Sequence, residues 1–209
     1  MKQYDMITEA DARVLDVGAT VVLNPGGHVT PLALDTLRER RVTVLRDVPG
    51  TDEARLAPVA DVRRVALGTD HSGLALKNAL RDRLRARGLA VTDVGTDTPD
   101  PVDYPDIAER VAVLVARGEA DAGIVIDGAG LGSAIAANKV DGVRAAMCTT
   151  RTLARYAREH NGAHVLALGA TLVSQADAFE IVDTFLTTPM TEARYLRRLA
   201  KVARLERKD

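Results

Sequence analysis

The sequence has few of the residues that cross-link small proteins or stack on the bases of nucleic acids. Its 209 residues include one cysteine, no tryptophan and only 3% aromatic residues. A single cysteine, Cys148, excludes an internal disulfide framework and a cysteine-based zinc site. The net charge is −1, so no overall field attracts nucleic acid or an acidic membrane. Few aromatic side chains are available to stack on bases, which further disfavours a nucleic-acid partner.

Long hydrophobic runs are also absent. No apolar stretch approaches the roughly 20 residues that a membrane-spanning helix needs. The start of the sequence, MKQYDMITEADAR, lacks the apolar region of a signal peptide, so we expect a cytoplasmic protein. The chain does have an ordinary globular balance, with 46% hydrophobic and 27% charged residues, and it is long enough to bury a proper core.

Short apolar runs alternate with amphipathic segments over most of the chain. The runs are bounded by Gly, Asp or Asn, as buried parallel strands often are: Val65–Leu67, Ala90–Val94, Ala122–Ile126, Val143–Cys148 and His164–Leu168. The intervening segments predict helices at Leu74–Arg87, Tyr104–Arg117, Thr150–His160, Ser174–Thr187 and Thr191–Arg207. Alternating strands and helices indicate an α/β fold with one parallel sheet and helices on both of its faces.

Residues 1–60 have a separate pattern, which predicts a small βαβ-like N-terminal extension to a domain at 61–209. The features of this extension are a capping box at Thr8–Asp11, strands at Thr20–Leu23 and Val42–Leu45, a turn at Asn24–Gly27 and a helix from Thr30-Pro31 to about Arg40. Asp47–Pro58 is a plausible linker.

The segment Gly68–Gly73 (GTDHSG) follows the first core strand and opens a helix. In an open α/β sheet, ligands bind beyond the carboxyl ends of the strands. Asp70 and His71 could therefore hold sugar hydroxyls or a phosphate. The alternative is that Asp70 caps the helix and His71 is merely a polar surface residue.

The segment Asp127–Ser133 (DGAGLGS) follows the third core strand. Its glycines, Gly128, Gly130 and Gly132, let the backbone approach a ligand closely, with amides suited to an anion or a developing oxyanion. The G-x-G-x-G spacing is not the dinucleotide-binding fingerprint, and no Gly-Lys-Ser/Thr makes it a phosphate-binding P-loop. A tight strand-to-helix turn is the alternative interpretation.

Two further groups lie in predicted helices. His160 ends a helix, where a histidine could move a proton near neutral pH or simply be a cation at a helix C-terminus. Arg194 and Arg198 are four residues apart, so they share a helix face and could grip a phosphate together. The alternative for the arginines is a solvated helix face.

Taken together, these motifs resemble the ribose-5-phosphate isomerase B and galactose-6-phosphate isomerase family. The resemblance runs from about Val65 to Val202 and rests on several motifs in order: GTDHSG at 68–73, VDYPD at 102–106, GLGSAIAANKVDGVRAA at 130–146, REHN at 158–161, VLALG at 165–169 and the arginine pair. It implies a Rossmann-like three-layer fold with a five-stranded parallel sheet. It also implies a homodimer or dimer of dimers with active sites between subunits, and no metal or nucleotide cofactor.

The resemblance further implies an aldose–ketose isomerase of a small sugar phosphate, with ribose 5-phosphate as the first expectation, working through a cis-enediol. His160 would assist ring opening, while Asp70 and Asn161 would hold sugar hydroxyls. The expected substrate-binding residues of the loop are Gly128, Gly130, Gly132 and Ser133, whose amides would stabilise the enediolate. The residues expected to face the phosphate are His71, Arg194 and Arg198, the arginines coming from the partner subunit.

This chain also departs from the family pattern. Asp127 stands where many members have a cysteine base, and Ala129 where they have Thr or Ser. Ser133 occupies the position of a glutamate base in another branch, so Asp127 is the only obvious base in the loop. The competing interpretation is that Asp127 caps the turn in a catalytically silent or partner-dependent sugar-phosphate-binding subunit. On the phosphate side, Thr171 and Tyr195 replace an arginine and a histidine.

The extension contains ITEADAR and HVTPLALDTL, which resemble N-terminal segments of some bacterial microcompartment-associated enzymes. An assembly or encapsulation role is one interpretation. The other is an appendage that extends the sheet or the dimer interface.

Overall fold

The computed structural model describes residues 2–40, 42–46, 56–190 and 193–206. Its strands are β1 (Gln3–Ile7), β2 (Thr20–Val29), β3 (Thr43–Arg46), β4 (Arg64–Thr69), β5 (Ala90–Asp93), β6 (Ala122–Asp127), β7 (Ala145–Met147) and β8 (Val165–Gly169). Its α-helices are α1 (Glu9–Val14), α2 (Pro31–Glu39), α3 (Leu74–Ala86), α4 (Tyr104–Ala116), α5 (Leu131–Ala137), α6 (Arg151–Glu159), α7 (Gln175–Thr187) and α8 (Ala193–Ala203). Within these described ranges, no helix is both long enough and apolar enough to cross a membrane.

The chain divides into two compact units. The N-terminal unit contains the described residues up to Ala57 together with α8, and the larger unit begins at Pro58. In the N-terminal unit, β1, β2 and β3 form a parallel sheet of their own in that order. α1 begins with the predicted capping box, because Thr8 Oγ1 accepts from the Asp11 amide and the Asp11 carboxylate accepts from the Thr8 amide. Within the described residues, the extension therefore does not lengthen the main sheet.

Two features of the N-terminal unit differ from the sequence prediction. The pattern does not predict β1, because Ile7 is the only buried residue of this strand. The segment Asn24–Gly27, a predicted turn, lies inside β2, where pairing with β1 shifts register between Tyr4 and Met6. Of the predicted linker, residues 47–55 lie outside the described residues.

The larger unit has the predicted Rossmann-like architecture. Its five strands are all parallel, in the order β5-β4-β6-β8-β7. Successive strand residues point to opposite faces, so each face has its own core. One core joins the strands to α3, α6 and α7 through large side chains such as Leu80 and Phe185, and the other joins them to α4 and α5.

The edge strands are less buried than the sequence pattern predicts. β5 and β7 lie at the two edges of the sheet, and their residues are half-buried or exposed. β4, β6 and β8 lie between other strands and are almost entirely buried. The prediction of five fully buried strands is therefore wrong for β5 and β7, since an edge strand has a neighbour on one side only.

The strand order reverses direction between β4 and β6. From β4 the chain crosses through α3 to β5 on one side, and then returns through α4 to β6 on the other side. A crevice forms at the carboxyl ends of the strands where such a reversal occurs, and it is the usual ligand site of open α/β sheets. Asp70 directly follows β4, and Asp127 is the last residue of β6.

Asp121 links the amino-terminal ends of β4 and β6, at the edge of the sheet opposite Asp70 and Asp127. Its carboxylate accepts from the amides of Arg63 and Arg64, at 2.9 and 2.8 Å, and from Arg64 Nη2 at 2.6 Å. Burial opposes ionisation of this carboxyl group, but the hydrogen bonds from Arg64 and from the two amides outweigh it. The pKa of Asp121 is therefore lowered.

We predict that Asp121→Asn lowers the free energy of unfolding near neutral pH by about 1–3 kcal/mol, because two amides and a guanidinium lose their anionic acceptor. A carboxyl group with a lowered folded-state pKa stabilises the fold above its unfolded-state pKa of about 3.9, and this contribution is lost as the pH falls through the folded-state pKa. The variant should therefore lose less stability than the wild type between near-neutral pH and about pH 3 in urea titrations.

Asp61→Asn is the matched control, because Asp61 also pairs with an arginine but its side chain is 74% exposed. We expect this control to follow the wild-type curve. Equal stability of Asp121→Asn and the wild type near neutral pH would contradict the assignment.

Candidate active site

Asp70 lies at the carboxyl end of β4 and is only 7% exposed. Its amide donates to Ile126 O at 3.2 Å, which places it beside the end of β6. Its carboxylate caps the short 3₁₀ turn His71–Gly73 by accepting from the amide of Ser72, at 2.9 Å, and from the Ser72 hydroxyl. The structure thus shows the capping role of Asp70 at the carboxyl end of β4.

Asp127 is 5% exposed and holds the loop that follows it. Its Oδ1 accepts from the amides of Ala129, at 2.7 Å, and of Gly130. Its Oδ2 accepts from the amide of Ser133 at 2.9 Å. One carboxylate therefore satisfies three amides of the glycine loop, including two at the start of α5 that have no acceptor within the helix.

Two glycines of this loop, Gly130 and Gly132, are required by close packing. Gly130 has φ +76°, in the left-handed region, and a Cβ there would lie 2.8 Å from the backbone of Leu168. A Cβ on Gly132 would lie 2.5 Å from the ring of Tyr104. On the side of β8, Thr171 donates to Gly128 O from its amide and from its hydroxyl, the latter at 2.7 Å. Hydrogen bonds to Asp127 on the β6 side and from Thr171 on the β8 side therefore fix the conformation of the loop.

Tyr104 is a residue of this site to which the sequence analysis assigns no role. It begins α4 within the VDYPD motif, is 39% exposed and packs against the glycine loop at Gly132. The preceding segment also reaches the first loop, since the Val102 amide donates to His71 Nδ1 at 3.4 Å. The motif itself is the signal that identifies Tyr104, but its contact with the glycine loop is visible only in the fold.

Ser133 is fully buried, and its hydroxyl has no hydrogen-bond partner among the described residues. Its contribution to the site is its amide, which binds Asp127. No group of three or more His, Cys, Asp or Glu side chains in the described part of the chain is arranged to hold a metal ion.

His160 and Asn161 lie at the opposite edge of the main sheet from Asp70 and Asp127. α6 begins after the carboxyl end of β7 and ends at Glu159, just before β8 begins, so it returns the chain to the amino-terminal edge. β6 has six residues, so the two edges are roughly 20 Å apart. The structure therefore does not bring His160 next to Asp127 within one chain.

His160 and Asn161 are both held by Tyr156. The imidazole of His160 stacks on the Tyr156 ring, with centroids 4.6 Å apart. The Asn161 side-chain amide donates to Tyr156 O at 2.9 Å.

Arg194 and Arg198 lie on α8, in the N-terminal unit. Both are exposed and both guanidinium groups lie near the ring of Tyr195. The predicted helix Thr191–Arg207 contains this shorter observed helix, and residues 191, 192 and 207 lie outside the described residues.

Comparison with known proteins agrees with the motifs. A protein-family model described as Ribose/Galactose Isomerase matches residues 65–202. Ribose-5-phosphate isomerase B of Escherichia coli is 39% identical over 147 residues, which cover 70% of this chain and 99% of that protein.

Solved structures give the same result. The structure of ribose-5-phosphate isomerase B from Clostridium thermocellum has a TM-score of 0.67 and 47% identity, covering 68% of this chain and 97% of the other. Ribose-5-phosphate isomerase B from Mycoplasma genitalium, solved with bound ribulose-5-phosphate, has a TM-score of 0.67 and 37% identity, covering 70% and 97%. The family match begins at residue 65, after the N-terminal extension.

Proposed function

Because this chain belongs to the ribose/galactose isomerase family and is a sugar-phosphate isomerase, we propose that it interconverts ribose 5-phosphate and ribulose 5-phosphate through a cis-enediol, with Asp127 as the base. The observation that carries this proposal is the position of the Asp127 carboxylate. It lies at the reversal point of the sheet, beside the end of β4 and Asp70. Such a crevice is where an α/β sheet binds a small ligand.

The hydrogen bonds of Asp127 leave one position for a proton. A carboxylate oxygen has two lone pairs, and those of Oδ1 are taken by the amides of Ala129 and Gly130. Among the described residues, Oδ2 accepts from the Ser133 amide only, so its second lone pair can accept a proton from substrate. The loop thus orients the base as well as holding it.

The proposed reaction moves one proton between neighbouring carbons. The open-chain aldose loses the C2 proton to Asp127 Oδ2, and its carbonyl oxygen becomes the enediolate oxygen. The proton of the C2 hydroxyl then moves to the C1 oxygen, and return of the carbon-bound proton from Asp127 to C1 gives the C2 ketone and regenerates the carboxylate. A base in hydrogen-bond reach of the reacting carbon contributes a typical factor of about 10²–10⁴ to such a step.

The loop amides are the proposed stabilisers of the enediolate. The Gly130 amide already donates to Asp127, so this role falls on the amides of Gly128 and Gly132 rather than on all three glycines. Asp70 would hold a sugar hydroxyl with the part of its carboxylate that Ser72 does not occupy.

A second copy of the chain would complete the site. His160, proposed to assist ring opening, and Asn161, proposed to hold a hydroxyl, lie at the far edge of the sheet from Asp127. They can act on the same sugar only if they come from another subunit, which supports a homodimer or dimer of dimers with sites at the interface. His71, Arg194 and Arg198 would bind the phosphate, with the arginines from the partner subunit.

For residues 1–60 we propose an assembly or interface role. This segment has its own sheet and its own core, which supports a separate function. The core residues are Ile7, Ala12, Leu15, Val21, Leu23, Ala33 and Leu37. Deletion of residues 1–58 should change the oligomeric state or the proteins that co-purify, while the isomerase domain stays folded. No change in either, measured by light scattering and co-purification, would contradict this role.

We predict that the wild type incorporates deuterium at C2 of ribose 5-phosphate in D₂O as ribulose 5-phosphate forms, and that Asp127→Asn abolishes both. Asparagine keeps an acceptor for the Ala129 and Gly130 amides but cannot take a proton. Its Nδ2 also faces the Ser133 amide, which costs about 1–3 kcal/mol of stability. Proton NMR measures exchange and isomerisation together.

The exposed Asp100→Asn is the control for loss of one surface charge, and circular dichroism and light scattering check that each variant keeps its fold and assembly. An Asp127→Asn protein that still exchanges the C2 proton would remove Asp127 as the base. A folded wild type without exchange on any sugar phosphate would favour a binding subunit without catalysis.

A second prediction follows from the proposal that each site combines residues of two chains. When Asp127→Asn and His160→Ala chains are mixed and refolded together, half of the dimers are mixed and each has one intact site. About a quarter of the wild-type activity should therefore return, measured by ketose formation. Asp127→Asn mixed with Asp70→Asn is the matched control and should stay inactive, because these residues lie on the same side of one chain. Failure of the first mixture to recover activity would contradict a shared site.

A further inference from the structure

Two arginines of α8 share one aromatic ring. The Cζ atoms of Arg194 and Arg198 lie 4.9 and 5.8 Å from the centroid of the Tyr195 ring. Tyr195 is only 5% exposed, and its phenol oxygen accepts from Arg194 Nη2 at 3.0 Å. The ring is therefore buried, while Arg194 and Arg198 are both exposed.

This arrangement offsets a repulsion. Like charges one helical turn apart destabilise each other, whereas the negative face of an aromatic ring attracts a cation within about 6 Å of its centroid. Tyr195 lies within that range of both guanidinium groups and also gives Arg194 a hydrogen-bond acceptor. The ring thus holds two like charges close together on a helix surface.

We propose that Tyr195 is a positioning residue that pre-arranges Arg194 and Arg198 as one anion-binding pair for the dianionic phosphate group of the substrate. This inference rests on the proposed function, in which the two arginines bind the sugar phosphate. Guanidinium groups bind phosphate through several parallel N–H donors, so their relative orientation matters as well as their charge.

Pre-arrangement acts on binding and not on chemistry. An arginine that is already ordered loses less conformational freedom when the phosphate binds. The phosphate stays attached to the sugar throughout the reaction, so its contacts are equal in the ground state and the transition state. Loss of the ring should therefore change KM and leave kcat unchanged.

The test uses the full-length protein, with ribose 5-phosphate as substrate and inorganic phosphate as competitive inhibitor. Tyr195→Leu removes the ring and the hydroxyl but keeps an apolar side chain at this buried position. We expect KM and the phosphate inhibition constant to rise together by roughly three- to tenfold, with kcat within about twofold of the wild type. Tyr195→Phe keeps the ring and loses the hydroxyl that accepts from Arg194, so a smaller parallel rise is expected.

Arg197→Ala is the matched control. Arg197 is an exposed arginine on the same helix with no aromatic ring against it among the described residues, and its loss should leave both constants unchanged. An Arg197→Ala rise equal to that of Tyr195→Leu would mean that both constants respond to any change on α8 and not specifically to loss of the ring, and would overturn the proposal. If Tyr195→Leu does not fold, Tyr195→Phe decides, because unchanged constants in that variant overturn the proposal.

Calorimetric titration with inorganic phosphate separates this inference from the proposed function. A wild type that binds phosphate in a Tyr195-dependent way but isomerises no sugar phosphate would support the inference and count against the function. A wild type that isomerises ribose 5-phosphate, with a Tyr195→Leu variant of unchanged KM and phosphate affinity, would overturn the inference alone. A fall in kcat with unchanged KM would overturn it as well.

Discussion

In the main sheet, every strand ends at one edge and every helix that connects two strands returns the chain to the other edge. This constraint determines which residues of one chain can act together. Asp70 and Asp127 follow adjacent strands, so the sheet brings them to one crevice. His160 follows a returning helix, so the same geometry places it roughly 20 Å away. A site that needs both groups requires a second copy of the chain.

Within the crevice, one carboxylate has two tasks. Asp127 accepts three amide hydrogen bonds that fix the shape of the glycine loop, and in the proposed mechanism it also moves a proton. The two tasks are compatible because the amides occupy three of its four lone pairs. A structural cap and a base are therefore not exclusive interpretations of this residue. The same arrangement makes the base sensitive to any change that shifts the loop, such as a side chain on Gly132.

Much of the fold could be predicted from the sequence, because the spacing of the apolar residues, and the Gly, Asp and Asn residues that bound each apolar run, reflect burial directly. The strands β4, β6 and β8 and the helices α3, α4, α6 and α7 lie within a few residues of their predicted positions, whereas the short helix α5 was not predicted. β1 was missed because only Ile7 is buried, which leaves no apolar pattern. At the site, the two carboxylates were predictable from strand ends, whereas the contact of Tyr104 with Gly132 and the separation of His160 depend on tertiary geometry.

The central claim is that Asp127 of one chain and His160 of another act on the same sugar. The most direct measurement is a crystal structure with an analogue of the enediolate, a hydroxamate that carries a terminal phosphate. The account predicts that the hydroxamate oxygens lie within hydrogen-bond reach of Asp127 Oδ2, and that His160 from a second copy lies at the same ligand. An analogue bound away from Asp127, or a site completed without the second copy, would contradict it.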